Sequence, residues 1–185
     1  MDTPIHVAFL WHMHQPDYRD PADDRPHMPW VRLHAARAYF DMAWLLERFP
    51  RQRAAFNFVP VLTEQIEAFL DGQRDRWWSV ARKPARRLDP GERAFLLRTH
   101  FSINWDTGVR PRPRYWSLLN KRGTDGQHRP ASEFSDAELR DLQVLFNLAW
   151  FGFAARVEYP LITALEQKGR DFTEDEKCKV LDLQI

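Results

Sequence analysis

The chain has 185 residues, 44% of them hydrophobic and 14% aromatic, which is ample for one packed core, and 27 basic residues almost balance 26 acidic ones. No apolar run approaches the roughly 20 residues of a membrane span, and the start, MDTPIHVAFLWHMHQP, does not read as a secretory leader, lacking a basic region and a small-residue cleavage site. One cysteine, Cys178, excludes an internal disulfide framework and suits a reducing compartment, so a cytoplasmic protein is expected.

Residues 5 to 14 read as a buried strand. Ile5, Val7, Phe9, Trp11 and Met13 share an apolar face, and His6, Ala8, Leu10, His12 and His14 share the other. That second face turns polar only toward its C-terminal end, as in a barrel strand that opens into a site. A loop rich in proline and aspartate follows, to about Pro29, and a helix is expected from near His34 to Phe49. Ala54 to Val59 reads as a second strand, with Asn57 near its end, and a helix from about Val61 to Leu70 stops at Gly72. Two successive β-then-α units predict a parallel sheet or barrel.

The remainder reads as a helical insertion. Asp89 with Glu92, Ser135 with Glu138 and Thr173 with Glu176 have capping-box spacing, with Pro90 at a first helical position. Leu139, Leu142, Leu145, Phe146 and Ala149 form one apolar stripe. Between the first two boxes, VRPRPRYWSLLNKRG reads as a basic, proline-punctuated loop. The last helix meets no stop signal before Ile185, and two strands are too few for a barrel, so a piece of a longer protein is expected.

Basic residues between Arg74 and Arg93, with Trp77 and Trp78 among them, admit nucleic-acid binding. A solvated edge with inward tryptophans is the preferred reading, so neither nucleic acid nor membrane is expected as a partner. Asp17, Asp20, Asp23 and Asp24 do not have calcium-loop spacing and read as a solvated loop, and Cys178 as a small core residue. His12-x-His14 is the sharpest feature. Its spacing turns both imidazoles to one side of a strand, where they suit sugar hydroxyls, a metal, or purely structural hydrogen bonds.

The stretch HMHQPDYRDP followed by MPWVRLHAARAYFDM resembles glycoside hydrolase family 57, including its α-amylase- and α-mannosidase-like group. His14-Gln15-Pro16 matches the family's first motif, and FNFVPVLTEQI, NWDTGVRPRPRYWSLLNKRG and FNLAWFG resemble later segments, so the likeness runs along nearly the whole chain. It implies an α/β fold, the N-terminal part of an incomplete (β/α)7 barrel with a largely helical insertion: about 1–72 two βα units, about 73–172 the insertion, and 173–185 the start of a truncated helix. It also implies a retaining mechanism, with a glutamate nucleophile and an aspartate acid/base on later strands. No stretch here matches those motifs, and Glu64, Glu67, Asp106 and Glu158 fall in helix or loop contexts.

On this resemblance His12, His14, Gln15, Trp30, Arg32, His34 and Asn57 are the candidate substrate-binding residues. Trp30 would be a stacking platform in the loop at the barrel mouth, or a loop anchor; Arg32 and His34 would reach the same rim or cap the next helix. The expected partner is an α-glucan or oligosaccharide, with no cofactor and no bound metal; the oligomeric state is not legible. The alternatives are a metal-dependent hydrolase using the histidine pair, which would need ligands from later strands, and a noncatalytic carbohydrate-binding module.

Overall fold

The structure, a computed structural model, describes residues 5–126 and 128–184. Strand β1 (Leu10–Met13) is followed by helix α1 (Trp30–His34), which runs through a π-helical turn (Ala35–Tyr39) into α2 (Phe40–Arg48). Strand β2 (Ala55–Phe58) then leads into α3 (Pro60–Leu70). The β1 and β2 strands pair in parallel, with Leu10 beside Ala55, Trp11 beside Phe56, His12 beside Asn57 and Met13 beside Phe58. The expected βα pattern is therefore present, in a sheet of two strands among the described residues.

Among the described residues every element after α3 is helical: α4 (Arg76–Arg82), α5 (Pro90–Thr99), α6 (Pro113–Arg122), α7 (Asp136–Ala149), α8 (Phe153–Glu158), α9 (Pro160–Lys168) and α10 (Glu174–Asp182), with short 3-10 and π turns between some of them. A second π-turn spans Trp105–Val109. Both bonds of each capping box form at Asp89/Glu92, Ser135/Glu138 and Thr173/Glu176. Helix α3 ends in a Schellman motif: Gly72 N donates to Phe69 O and Gln73 N to Ala68 O, with Gly72 at φ +100°. None of the helices among the described residues is long and apolar enough to cross a membrane.

Three expectations are corrected. The helix expected from His34 begins at Trp30, because Pro29 precedes it and Leu33 N already donates to Pro29 O. The proline-punctuated segment is largely helix α6: Pro113 sits in its first turn, where its missing N–H costs nothing, and Tyr115, Leu118, Leu119 and Arg122 recur on one buried face. The strand expected over residues 5 to 14 is confined to Leu10–Met13 and is not buried as a whole. Ile5, Val7 and Phe9, ahead of it, are exposed, Trp11 is 47% exposed, and only Met13, at 4%, is enclosed. With two strands, the sheet presents the helices with too narrow a face to cover more than one end.

The core is correspondingly uneven. The larger cluster lies within the helical part, where the α7 stripe of Leu139, Leu142, Leu145, Phe146 and Ala149 packs with Phe95, Leu96, Tyr115, Leu118 and Val180. The smaller cluster sits under the sheet: Met13, Val31, Leu62 and Phe69, with Tyr39, Met42 and Phe56 against it. The basic Arg74–Arg93 stretch is mostly engaged. Trp77 is buried, Arg74 and Arg82 flank the ring of Trp78 at 5.3 and 5.5 Å, and Lys83 pairs with Glu92 at 2.6 Å. Cys178 is half-buried and free.

His100 is enclosed in the larger core. Its ring stacks on Trp77 at 5.8 Å and lies 4.6 Å from Phe146, and Thr99 Oγ1 is 3.0 Å from Nδ1. Burial, aided by the Arg32 charge, pushes its pKa down to about 3. A group whose pKa is depressed on folding contributes stability above its unfolded value, near 6.5, and that stability is lost as pH falls toward the folded value. Stability measured by urea titration should therefore fall between about pH 6.5 and 3, with His100 contributing up to about 1.4 kcal/mol per pH unit. His100→Phe should flatten that part of the profile; an unchanged slope would show that other groups set it.

Candidate functional site

The parallel register assembles the site. His12 and Asn57 are cross-strand neighbours on the same face, and His14 follows two residues later on that side. The imidazoles of His12 and His14 stack, centroids 5.9 Å apart at 18°. All three residues are exposed at the C-terminal end of the parallel pair, where α/β proteins place their ligands. Gln15 turns from the strand end toward the helices. Tyr18 Oη donates to Gln15 Oε1 at 2.7 Å, and Gln15 Nε2 donates to Tyr39 Oη at 3.4 Å. Burial first, and then the neighbouring Tyr39, raises the pKa of Tyr18, which keeps its hydroxyl a donor. The Gln15 amide is thereby held in one orientation.

Tyr39 closes the π-turn, and sequence reasoning passed over it. A π-turn widens the helix by one residue per turn and often accompanies functional sites. Here Ala36 O accepts from Gly152 N at 3.3 Å, and Tyr39 stands between Gln15, Phe58 (6.3 Å, edge-on) and His34 (6.4 Å). No residue type in AARAY announces such a turn. A chemical hint was available in the spacing of Tyr18 and Tyr39 from Gln15, but only the fold brings the three together.

The remaining candidates lie deeper. Trp30 is the first residue of α1, not part of a loop, and its half-buried ring lies 5.7 Å from both Trp77 and Trp150. His34 meets Trp150 edge-on at 5.5 Å; burial, and then Arg37, lowers its pKa and keeps the ring neutral at physiological pH. Trp150 is 8% exposed, and its Nε1 finds no acceptor among the described residues. Arg32 is 2% exposed. Its Nε donates to Asp75 Oδ2 at 2.9 Å and its Nη1 to Asn147 Oδ1 at 3.3 Å and to Gln184 Oε1. The structure thus brings His12, His14, Asn57 and Gln15 to the open sheet end, and sets Trp30 and Arg32 inside, with His34 between.

No Asp or Glu stands on either strand. The carboxyls with perturbed pKa values are all held low, the wrong direction for a general acid. The Arg19 hydrogen bond lowers Asp17 to about 2, and Trp44 with Arg48 lowers Glu158. Burial works against ionisation at Glu138, Glu166 and Glu176, yet Lys121, Arg156 with Arg112, and Lys168 hold each low. Glu64 lies beside Arg19 at 3.4 Å and Asp106 beside Arg110 at 3.2 Å.

Fold and site together define a largely helical chain with a polar surface at the C-terminal end of a small parallel strand pair. The model of glycosyl hydrolase family 57 matches residues 8–182, nearly the whole chain, and the chain belongs to that family. No curated protein and no solved structure matches it.

The burial of Arg32 generates a test. Asp75→Asn keeps an acceptor for Trp78 N, which Asp75 Oδ1 caps at 2.7 Å, but leaves the guanidinium without its counter-charge. Breaking a buried pair from one side costs about 3–5 kcal/mol. Urea denaturation should show that loss for Asp75→Asn, and a much smaller one for the double variant Arg32→Met, Asp75→Asn. Equal losses in both would mean that the charge pair is not what matters.

Proposed function

We propose that this chain contributes the substrate-binding part of a retaining glycoside hydrolase or transferase that acts on α-glucans, in the manner of α-amylases. The observation that carries the reading is the shared face of His12, His14 and Asn57 beside the clamped Gln15, within a chain of family 57. Neutral imidazoles and carboxamides each offer a donor and an acceptor, which is the chemistry that vicinal sugar hydroxyls need. Such contacts tighten as charge develops on the sugar ring, which is differential binding and not proton transfer.

In this reading His12, His14, Gln15 and Asn57 touch the sugar. His34, Trp30 and Arg32 hold α1 and its π-turn in place behind them. The nucleophile and the acid/base come from outside residues 1–185, on further strands of an incomplete (β/α)7 barrel. The lack of any carboxyl on either strand, and the lowered pKa values of Asp17 and Glu158, support that division. The metallohydrolase reading gains nothing, because no third His, Cys, Asp or Glu among the described residues converges on His12 and His14.

Calorimetry with maltooligosaccharides should detect binding to the purified chain without turnover of amylose. His12→Ala or Asn57→Ala should weaken it about tenfold each, the equivalent of one hydrogen bond near 1.4 kcal/mol. Glucan hydrolysis that survives repurification and disappears on replacing a carboxylate within residues 1–185 would overturn the division of labour. Binding unaffected by both substitutions would remove the proposed surface.

A further inference from the structure

The clamp on Gln15 has a direction, and its far end is unfinished. Tyr18 Oη can bond Gln15 Oε1 only by donating, and their separation of 2.7 Å is usual for an O–H···O bond. That contact uses the one hydroxyl proton of Tyr18. Gln15 Nε2 can only donate, so at 3.4 Å Tyr39 Oη is the acceptor. Tyr39 therefore keeps its own hydroxyl proton, for which the described residues hold no acceptor.

The ring that carries this proton is fixed from behind. Tyr39 ends the π-turn, packs against the cluster of Met13, Val31, Leu62 and Phe69, and lies 6.4 Å from the His34 ring. Its outer side is not closed: Tyr39 is half-buried, and Phe58, edge-on to it at 6.3 Å, is 47% exposed. A phenol has only two side-chain torsions to fix, so one already held by packing gives a ligand a donor at small entropic cost.

Tyr18 sets the direction of the chain at one remove. Its backbone N–H donates to Oε1 of the buried Gln65 at 3.1 Å, and Gln65 Nε2 donates to Pro16 O and Val61 O, both at 3.0 Å. Without the Tyr18 hydroxyl, the Gln15 amide can turn its oxygen toward Tyr39, and the Tyr39 proton is then taken up by Gln15 instead of a ligand.

We propose that Tyr39 is a further sugar-binding residue, its hydroxyl donating to a ligand hydroxyl beside Gln15, and that Tyr18 is the positioning residue that keeps this proton free. The assignment rests on the glucan-binding reading and adds to it one donor and the residue that directs it.

The experiment titrates the whole chain with maltotriose in a calorimeter, beside His12→Ala, Tyr39→Phe, Tyr18→Phe and the double tyrosine variant. Tyr39→Phe keeps the ring and should weaken binding about tenfold, as for one lost hydrogen bond. Tyr18→Phe should weaken it by about two- to fivefold, because only the chains with a correctly turned Gln15 amide then bind well. In the Tyr39→Phe background the Tyr18→Phe loss should shrink, a coupling that a merely structural role would not produce. In the parent protein, labelled at the tyrosine Cζ, the Tyr39 resonance should move on saturation with maltotriose, a readout that needs no variant to fold. A Tyr39 resonance that stays put, or a Tyr39→Phe variant that binds as the parent does while His12→Ala is weakened, would overturn this proposal and leave the glucan-binding reading standing. Strictly additive losses for the two tyrosines would remove Tyr18 from its positioning role. A parent chain that binds no maltotriose would overturn both readings together.

Discussion

Arg32 is the hinge of this structure in the energetic sense. It lies between Val31, which packs in the small cluster under the sheet, and Leu33, which packs in the large helical cluster. Its own side chain enters neither. It runs into a buried polar spine, reaching Asp75 at the start of α4, Asn147 on α7 and Gln184 beyond α10. The spine continues through Gln143, which donates to the carbonyls of Val80 and Lys83, and Lys177, which donates to Lys83 O at 2.8 Å. Hydrophobic contacts tolerate sliding; directed hydrogen bonds among buried groups do not, because each misplaced partner leaves a desolvated group unpaired. Three consecutive residues of a five-residue helix therefore fix how the sheet unit meets the helical unit.

That arrangement explains which half supplies the stability. The strands leave Leu10, Trp11 and Phe58 largely exposed, and a two-stranded sheet is marginal in water by itself. The helical part encloses Leu96, Tyr115, Leu139, Phe146, Phe172 and Val180 almost completely. The sheet is held in place from one side, by α1, the π-turn and α3. Its polar end stays open, while the helices that brace it are closed to water.

Where a residue's role depended on local rules, it was readable in advance. The three capping boxes, the α7 stripe, the Gly72 stop and the parallel βα pattern follow from spacing alone, and all are present. His12, His14 and Asn57 follow from strand periodicity plus register. Where a role depended on distant partners, periodicity was silent. Arg32 reads as a rim or helix-capping residue until Asp75, 43 residues away, is seen beside it, and Trp30 as a loop residue until Trp77 and Trp150 enclose it. Helix α6 was hidden because its prolines look like breakers, whereas Pro113 occupies the one turn where proline fits.

The same contrast shows how the site is kept polar without being loose. Gln15 follows the exposed histidines, yet its amide is pinned by Tyr18 from the loop and Tyr39 from the π-turn. Tyr18 is in turn pinned through its backbone N–H, which donates to Gln65 Oε1 of α3 at 3.1 Å, and Gln65 also donates to Pro16 O at 3.0 Å. Gln65 is 1% exposed, so its amide sits among fixed partners. Orientation passes from α3 through a buried glutamine to the loop, and from the loop to the residue beside His14. A carboxamide left to rotate would present donor and acceptor interchangeably. One fixed at both ends keeps its donor and its acceptor in set places, and the polar end of the sheet acquires that order from helices that never reach the open face.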